Sequence, residues 1–110
     1  MAKVTWSTTA LAAFSDVFRA LEERSPASAA KLEDRVEALL GRLALFPESG
    51  RPTKDLEATG LREAVIAPYV VLYLVAGDSV VLMAFTYGVA SDEPDEIHET
   101  AAVYGFTSRV

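Results

Sequence analysis

The chain has 110 residues, 51% of them hydrophobic and 24% charged, with a formal net charge of -6 and no cysteine. Those figures bound it to one globular domain of ordinary composition, exclude disulfides and thiolate metal sites, and make a reducing cytoplasm the expected setting. No apolar run approaches the roughly 20 residues of a bilayer-spanning helix, and Met1 to Trp6 does not read as a signal peptide, so no membrane role is expected.

Lys3-Val4-Thr5-Trp6 alternates as a short strand. Ser7 or Thr8 then offers a side-chain oxygen to cap a first helix. Leu11, Phe14, Phe18 and Leu21 recur at spacings of three and four, with Val17 beside them, as the apolar stripe of that helix. Ser25-Pro26 breaks and restarts the chain, with Ser at the cap and Pro at the first helical position. A second helix carries Leu32, Val36, Leu39, Leu43 and Phe46 in the same rhythm and stops at Pro47. So tight a connection predicts an antiparallel helical hairpin.

Pro47 to Gly60 reads as a polar irregular loop, a natural place for function. Leu61 to Ala67 reads as a strand with Pro68 at the corner, where a missing N–H costs least. Tyr69 to Val75 follows, then a Gly77-Asp78 turn with Gly at the first central position, then Val80 to Tyr87. The fold class is therefore α+β: a short N-terminal strand, a helical hairpin and a three-stranded antiparallel meander.

Alternation puts Tyr69, Val71, Tyr73 and Val75 on one face of the middle strand and Val70, Leu72 and Leu74 on the other. In the last strand, Leu82 and Ala84 stand opposite Val81, Met83, Phe85 and Tyr87. Neither strand alternates apolar with polar, as a half-solvated antiparallel strand does. Both faces require cover, and two helices shield only one. The second face is expected to meet a partner.

The tail from Ser91 holds Asp92, Glu93, Asp95, Glu96 and Glu99 against Arg109, which leaves the body nearly neutral. Nucleic-acid affinity comes largely from Lys and Arg, so direct DNA binding is not expected. Residues 1–90 form the domain, and 91–110 an acidic extension. Within it Pro94 starts a short helix with Ile97, Ala101 and Tyr104 at i, i+4 and i+7, suited to packing on the sheet. His98 is the single histidine; without a second imidazole or any thiolate, no metal site and no cofactor are expected.

Val4-Thr5-Trp6-Ser7, Ala29-Ala30, Phe46-Pro47-Glu48-Ser49-Gly50-Arg51-Pro52, Gly60-Leu61-Arg62-Glu63, Tyr69-Val70-Val71-Leu72-Tyr73 and Gly77-Asp78 occur in an order and spacing that resembles the RelE/ParE superfamily of bacterial type II toxin–antitoxin systems. The likeness covers roughly residues 3–90. It implies a compact toxin neutralised by a cognate antitoxin wrapped over it, in a hetero-oligomer. It further implies one of two activities. RelE-like members cut messenger RNA on the ribosome with basic residues and often a tyrosine; ParE-like members poison DNA gyrase by binding it.

The family often has arginine where this chain has Val70 and Leu74. A His-Gly-x-Arg ending is replaced by Tyr87-Gly88-Val89-Ala90. RNA cleavage of this kind needs a base for the 2′-hydroxyl and cations for the pentavalent transition state. The candidates left are Arg51, Lys54, Arg62 and Tyr87, which is thin for the task. The reading is thus the ParE-like branch, acting by binding rather than as an enzyme. Val70, Leu72, Tyr73 and Leu74 would take the antitoxin or target's apolar side chains, and Arg51, Lys54 and Arg62 its acids. A solely structural role for Arg62, paired with Glu63 or a loop acid, stands beside that one. The alternatives are a RelE-like ribosome-dependent mRNA endoribonuclease, with ribosome and message as partners, or a non-toxic interaction module of the same fold.

Overall fold

A computed structural model describes residues 1–54 and 56–88. The expectations placed on 91–110 lie outside those residues. The elements run β1 (Lys3–Trp6), α1 (Thr8–Arg24), α2 (Pro26–Leu45), β2 (Arg51–Pro52), α3 (Leu56–Thr59), β3 (Leu61–Ile66), β4 (Tyr69–Ala76) and β5 (Ser79–Tyr87). The class is α+β, as the residue pattern predicts. Among the described residues, no helix is long and apolar enough to cross a membrane.

Ser7 caps α1: its Oγ accepts the Ala10 N–H at 3.0 Å and donates to the Met83 carbonyl at 3.3 Å, which ties the helix start to β5. Ser25 serves both helices. Its N–H donates to the Leu21 carbonyl, closing α1, and its Oγ accepts from Ser28, opening α2. One residue thus ends one helix and starts the next, with Pro26 fixing φ for the restart.

The meander forms as expected, but it is the middle of a larger sheet. The strand order is β1-β5-β4-β3-β2, five strands rather than three. β1 lies parallel beside β5, with Lys3 opposite Ser79 and Trp6 opposite Leu82. β2 adds antiparallel to β3 through Arg51↔Glu63 and Pro52↔Arg62. The segment Pro47–Gly60 is thus not wholly irregular; it holds an edge strand and a helical turn. The hairpin between β4 and β5 closes at Ala76↔Ser79, and Gly77 takes φ 63°, a left-handed value that other residues adopt with strain.

Simple alternation fails in β5. Leu72 faces Ala84 while Tyr73 faces Leu82, so Met83 is an extra residue on that strand. A bulge reverses the side-chain parity beyond it. Val80 and Leu82 therefore share a face with Phe85, and Ala84 joins the other face.

The main core lies between the helices and one sheet face. Leu32, Val36, Leu39 and Leu43 of α2 and Ala10 of α1 meet Val71, Tyr73, Val80, Leu82 and Phe85, with Ala64 and Ile66 of β3. Burying a side chain such as Leu43 or Leu82 contributes about 1.5–3 kcal/mol each. Trp6 packs on the hairpin, its ring 5.3 Å from Phe14, which in turn meets the edge of Phe85 at 5.4 Å. Two stripe residues do not follow their period inward: Leu11 and Phe46 are exposed, and Ala10 takes the buried position at the start of α1. Phe46 has left the helix as its C-cap, with φ -132°.

Candidate binding face of the sheet

The sheet face turned away from the helices carries a second apolar cluster. Val70, Leu72 and Ala84 form it, and Leu61 packs against it. No residue of α1 or α2 belongs to it. Alternation brings these side chains together: β4 contributes Val70, Leu72 and Leu74, β3 contributes Leu61, Glu63 and Val65, and the bulge at Met83 delivers Ala84 and Thr86 of β5. Leu74 stands opposite both Leu61 and Val81 in the ladder and extends the surface toward the hairpin.

One charge sits within this oil. Glu63 is 5% exposed and lies directly across from Leu72 in the ladder. Arg51, its partner in the β2–β3 pair, donates from Nη2 at 2.8 Å and from Nε at 3.2 Å, both to Oε2. Oε1 is buried and, among the described residues, has no hydrogen-bond partner. Arg51 itself remains more than half exposed. The arginine therefore neutralises the carboxylate from the rim while its outer side stays exposed.

Arg62 points to the loop instead. Its Nη1 donates to the Gly50 carbonyl at 2.9 Å and to the Glu48 carbonyl at 3.3 Å. The structural role weighed for it is thus a clamp on loop carbonyls, while Glu63 is taken by Arg51. Tyr73 reinforces the clamp from below, its hydroxyl accepting the Gly50 N–H at 2.8 Å. Gly50 is obligatory in that arrangement, because a Cβ there would stand 2.7 Å from the Glu63 carbonyl oxygen.

The candidate residues thus separate into groups. Val70, Leu72 and Leu74 share the face with Leu61 and with the Arg51–Glu63 pair. Tyr73 does not: it is wholly buried among the helix-side residues, because it stands one position out of phase with Val70 and Leu72. Arg51 lies at the rim of the face, and Lys54 is exposed in the turn that follows β2. Tyr87 lies elsewhere. It pairs with Tyr69 at the far end of the ladder, 68% exposed, its ring 5.7 Å from Tyr69. Arg62 pairs with Tyr73, four residues further along β4 and on the opposite neighbouring strand, so the two backbone positions are more than about 13 Å apart at 3.3 Å per residue, and the Arg62 guanidinium is engaged by the Glu48 and Gly50 carbonyls. The structure does not assemble them around one reacting atom.

Sequence reasoning overlooked Glu63 as a buried member of this face and the buried Thr86, whose hydroxyl donates to the Val70 carbonyl at 3.4 Å. Glu63 was findable, since it alternates with Leu61 and Val65. Thr86 was not, because its side depends on the bulge.

The family description "ParE toxin of type II toxin-antitoxin system, parDE" matches residues 4–88, which take in both long helices, β2 to β5 and all of β1 except Lys3. Among curated proteins, Toxin ParE3 of Caulobacter vibrioides is 36% identical over 73 residues, covering 66% of this chain and 72% of the relative. Toxin RelE2 of the same organism is 36% identical over 77 residues, covering 69% and 83%. A solved structure, the chromosomal ParDE toxin–antitoxin system from P. aeruginosa, superposes with a TM-score of 0.64 at 17% identity, over 80% of this chain and 97% of that one; at that identity it bears on the fold. With an apolar second sheet face, an α+β body and a family match across nearly every described residue, the chain belongs to the ParE toxin family of type II toxin–antitoxin systems.

Proposed function

We propose that this ParE-type toxin arrests growth by binding a protein target, DNA gyrase by family resemblance, and that a cognate antitoxin neutralises it by lying over the second sheet face. The observation that carries the reading is that face itself: an apolar cluster of Val70, Leu72 and Ala84 to which the hairpin contributes nothing. Apolar surface of this kind favours association by about 25 cal/mol per Å² removed from water, before the costs of ordering and of lost freedom are subtracted. Val65, 48% exposed, and the partly buried Leu61 and Leu74 offer the apolar side of the contact over the buried Val70 and Leu72, and the exposed flank of Arg51 meets an antitoxin carboxylate. Lys54 and Arg62 add positive charge near the same end of the sheet, where acids of an incoming segment are steered.

Inducing the chain in bacteria, with and without the product of the neighbouring reading frame, tests this. Arrest that the neighbour relieves supports the toxin and antitoxin roles together. Purified chain is then added to a gyrase supercoiling assay and, separately, to translating ribosomes. Inhibited supercoiling with intact message is expected. Cut message that requires Arg62 or Tyr87 would transfer the chain to the ribosome-dependent nuclease class, and the likeness to Toxin RelE2 is the reason to run that arm.

A further inference from the structure

β1 ends the sheet, and among the described residues no strand pairs with its outer side. The Lys3 and Ser7 N–H groups donate to the Asp78 and Leu82 carbonyls. In a parallel ladder every second residue turns its backbone groups to the neighbour, so Lys3 and Thr5 serve β5, and the N–H and C=O groups of Val4 and Trp6 point outward. Such a row is a template for another strand. The opposite edge is poorer: β2 has two residues, and Pro52 has no N–H to donate. The open edge also has apolar ends. Among the described residues six large hydrophobic side chains are exposed, and four of them, Met1, Leu11, Leu45 and Phe46, flank β1. Met1 precedes it; Leu45 and Phe46 follow Ala44, whose carbonyl takes the Ala2 N–H; and Leu11 donates its N–H to the Ser7 carbonyl just past the strand. Apolar groups gathered around unpaired backbone mark a protein contact.

We propose that β1 pairs antiparallel with β1 of a second copy of this chain, about a two-fold axis at Thr5, which joins two five-stranded sheets into one. The pattern is self-complementary. With Thr5 opposite Thr5, the outward groups of Val4 meet those of Trp6 in the second copy, and the reverse, for about four backbone hydrogen bonds. Lys3 falls opposite Ser7, so like charges do not face each other, and paired threonines are a favourable cross-strand match. The same axis brings the Leu11 end of one strand to the Met1, Leu45 and Phe46 end of the other, and does so at both ends. A foreign strand would have to supply that apolar match, whereas a second copy already carries it. With β2 too short to continue the ladder, assembly stops at two. The contact uses neither the far sheet face nor an antitoxin, so it goes beyond the proposed function and fails separately from it.

Sedimentation equilibrium of the full native chain over a concentration series tests this. The mass is expected to rise from one chain to two. A mass that stays at one chain up to about 1 mM, or that climbs past two, overturns the proposal. Thr5 is exposed, so Thr5→Lys and Thr5→Asp are expected to keep the fold, as checked by urea midpoints. Each alone sets like charges across the axis and is expected to raise the dissociation constant about 5-fold or more. Their one-to-one mixture is expected to regain association. A dimer indifferent to both variants, or a mixture that stays dissociated, overturns the pairing. Should either variant unfold, Thr5→Cys decides, since the chain has no native cysteine. Opposed residues of a non-hydrogen-bonded antiparallel pair have Cα atoms about 4.5 Å apart, within disulfide reach. Under mild oxidation Thr5→Cys is expected to form a covalent dimer about 10-fold faster than Thr9→Cys, exposed at the start of α1; equal rates overturn the proposal.

Discussion

The two faces of this sheet are equally greasy and differently built. The helix-side face has its cover written into the same domain: α2 sends Leu32, Val36, Leu39 and Leu43 into it, and the aromatic chain Trp6–Phe14–Phe85–Tyr69 seals one flank. The far face has Val70, Leu72 and Ala84 but no partner helix among α1 and α2. It also tolerates a charge, Glu63, which the helix-side core does not contain. Its carboxylate keeps one oxygen on Arg51 at the rim, and the other has no hydrogen-bond partner among the described residues, which costs about 1–3 kcal/mol for a buried acceptor. Apolarity alone therefore does not distinguish the two faces; the helices over one and the charge within the other do.

Substitutions on the two faces can break or sharpen that distinction. The largest effect is expected from Leu82→Ala, wholly buried on the helix side: a loss of about 3–5 kcal/mol of unfolding free energy, read from urea midpoints at constant slope. A loss below about 1 kcal/mol would mean that this face is not the permanent core. Next comes Gly50→Ala. A Cβ there meets the Glu63 backbone oxygen and the Tyr73 ring at 2.7 Å, so about 2–3 kcal/mol is expected from overpacking, with the Arg62 clamp loosened and the 48–54 loop opened to proteolysis.

On the far face, Leu72→Ala is expected to cost less, about 2 kcal/mol, and to lower antitoxin affinity in a titration by more than Leu82→Ala does. Equal effects on affinity would remove the contrast between the faces. Arg51→Ala leaves Glu63 buried without the guanidinium that holds its Oε2 and is expected to cost about 1–2 kcal/mol, reduced from the fully buried case because the arginine is more than half exposed. Adding Glu63→Leu should restore most of that stability; a double variant no better than the single one would show that the pair is not what stabilises this edge. The Asp16–Arg19 bridge at 2.8 Å is exposed on α1, and Arg19→Ala is expected to change stability by less than about 0.5 kcal/mol.

Local signals carried most of the architecture. Ser25-Pro26 announced the hairpin, Gly77-Asp78 the last turn, and the doubly apolar strands the need for two covers. What stayed hidden was long-range. Nothing in Lys3 to Trp6 says that it lies parallel to a strand some seventy-five residues later in register with Ser79. Two residues, Arg51 and Pro52, are too few to show a strand period, so the fifth strand could not be read. The bulge at Met83 is set by how β5 must curve against β4, and no composition rule marks it. It alone moved Ala84 and Thr86 to the far face and Leu82 to the core. At the site, Val70, Leu72 and Leu74 were legible as one surface. Apolar character groups Tyr73 with them, but its parity in β4 places it in the helix-side core.

The parallel pairing of β1 with β5 has a consequence for how the protein comes into being. The first strand to be synthesised is held by the last, through Lys3↔Ser79 to Trp6↔Leu82, while the Ala2 N–H donates to the Ala44 carbonyl at 2.8 Å. A nascent chain therefore cannot complete its sheet until nearly the whole domain has left the ribosome.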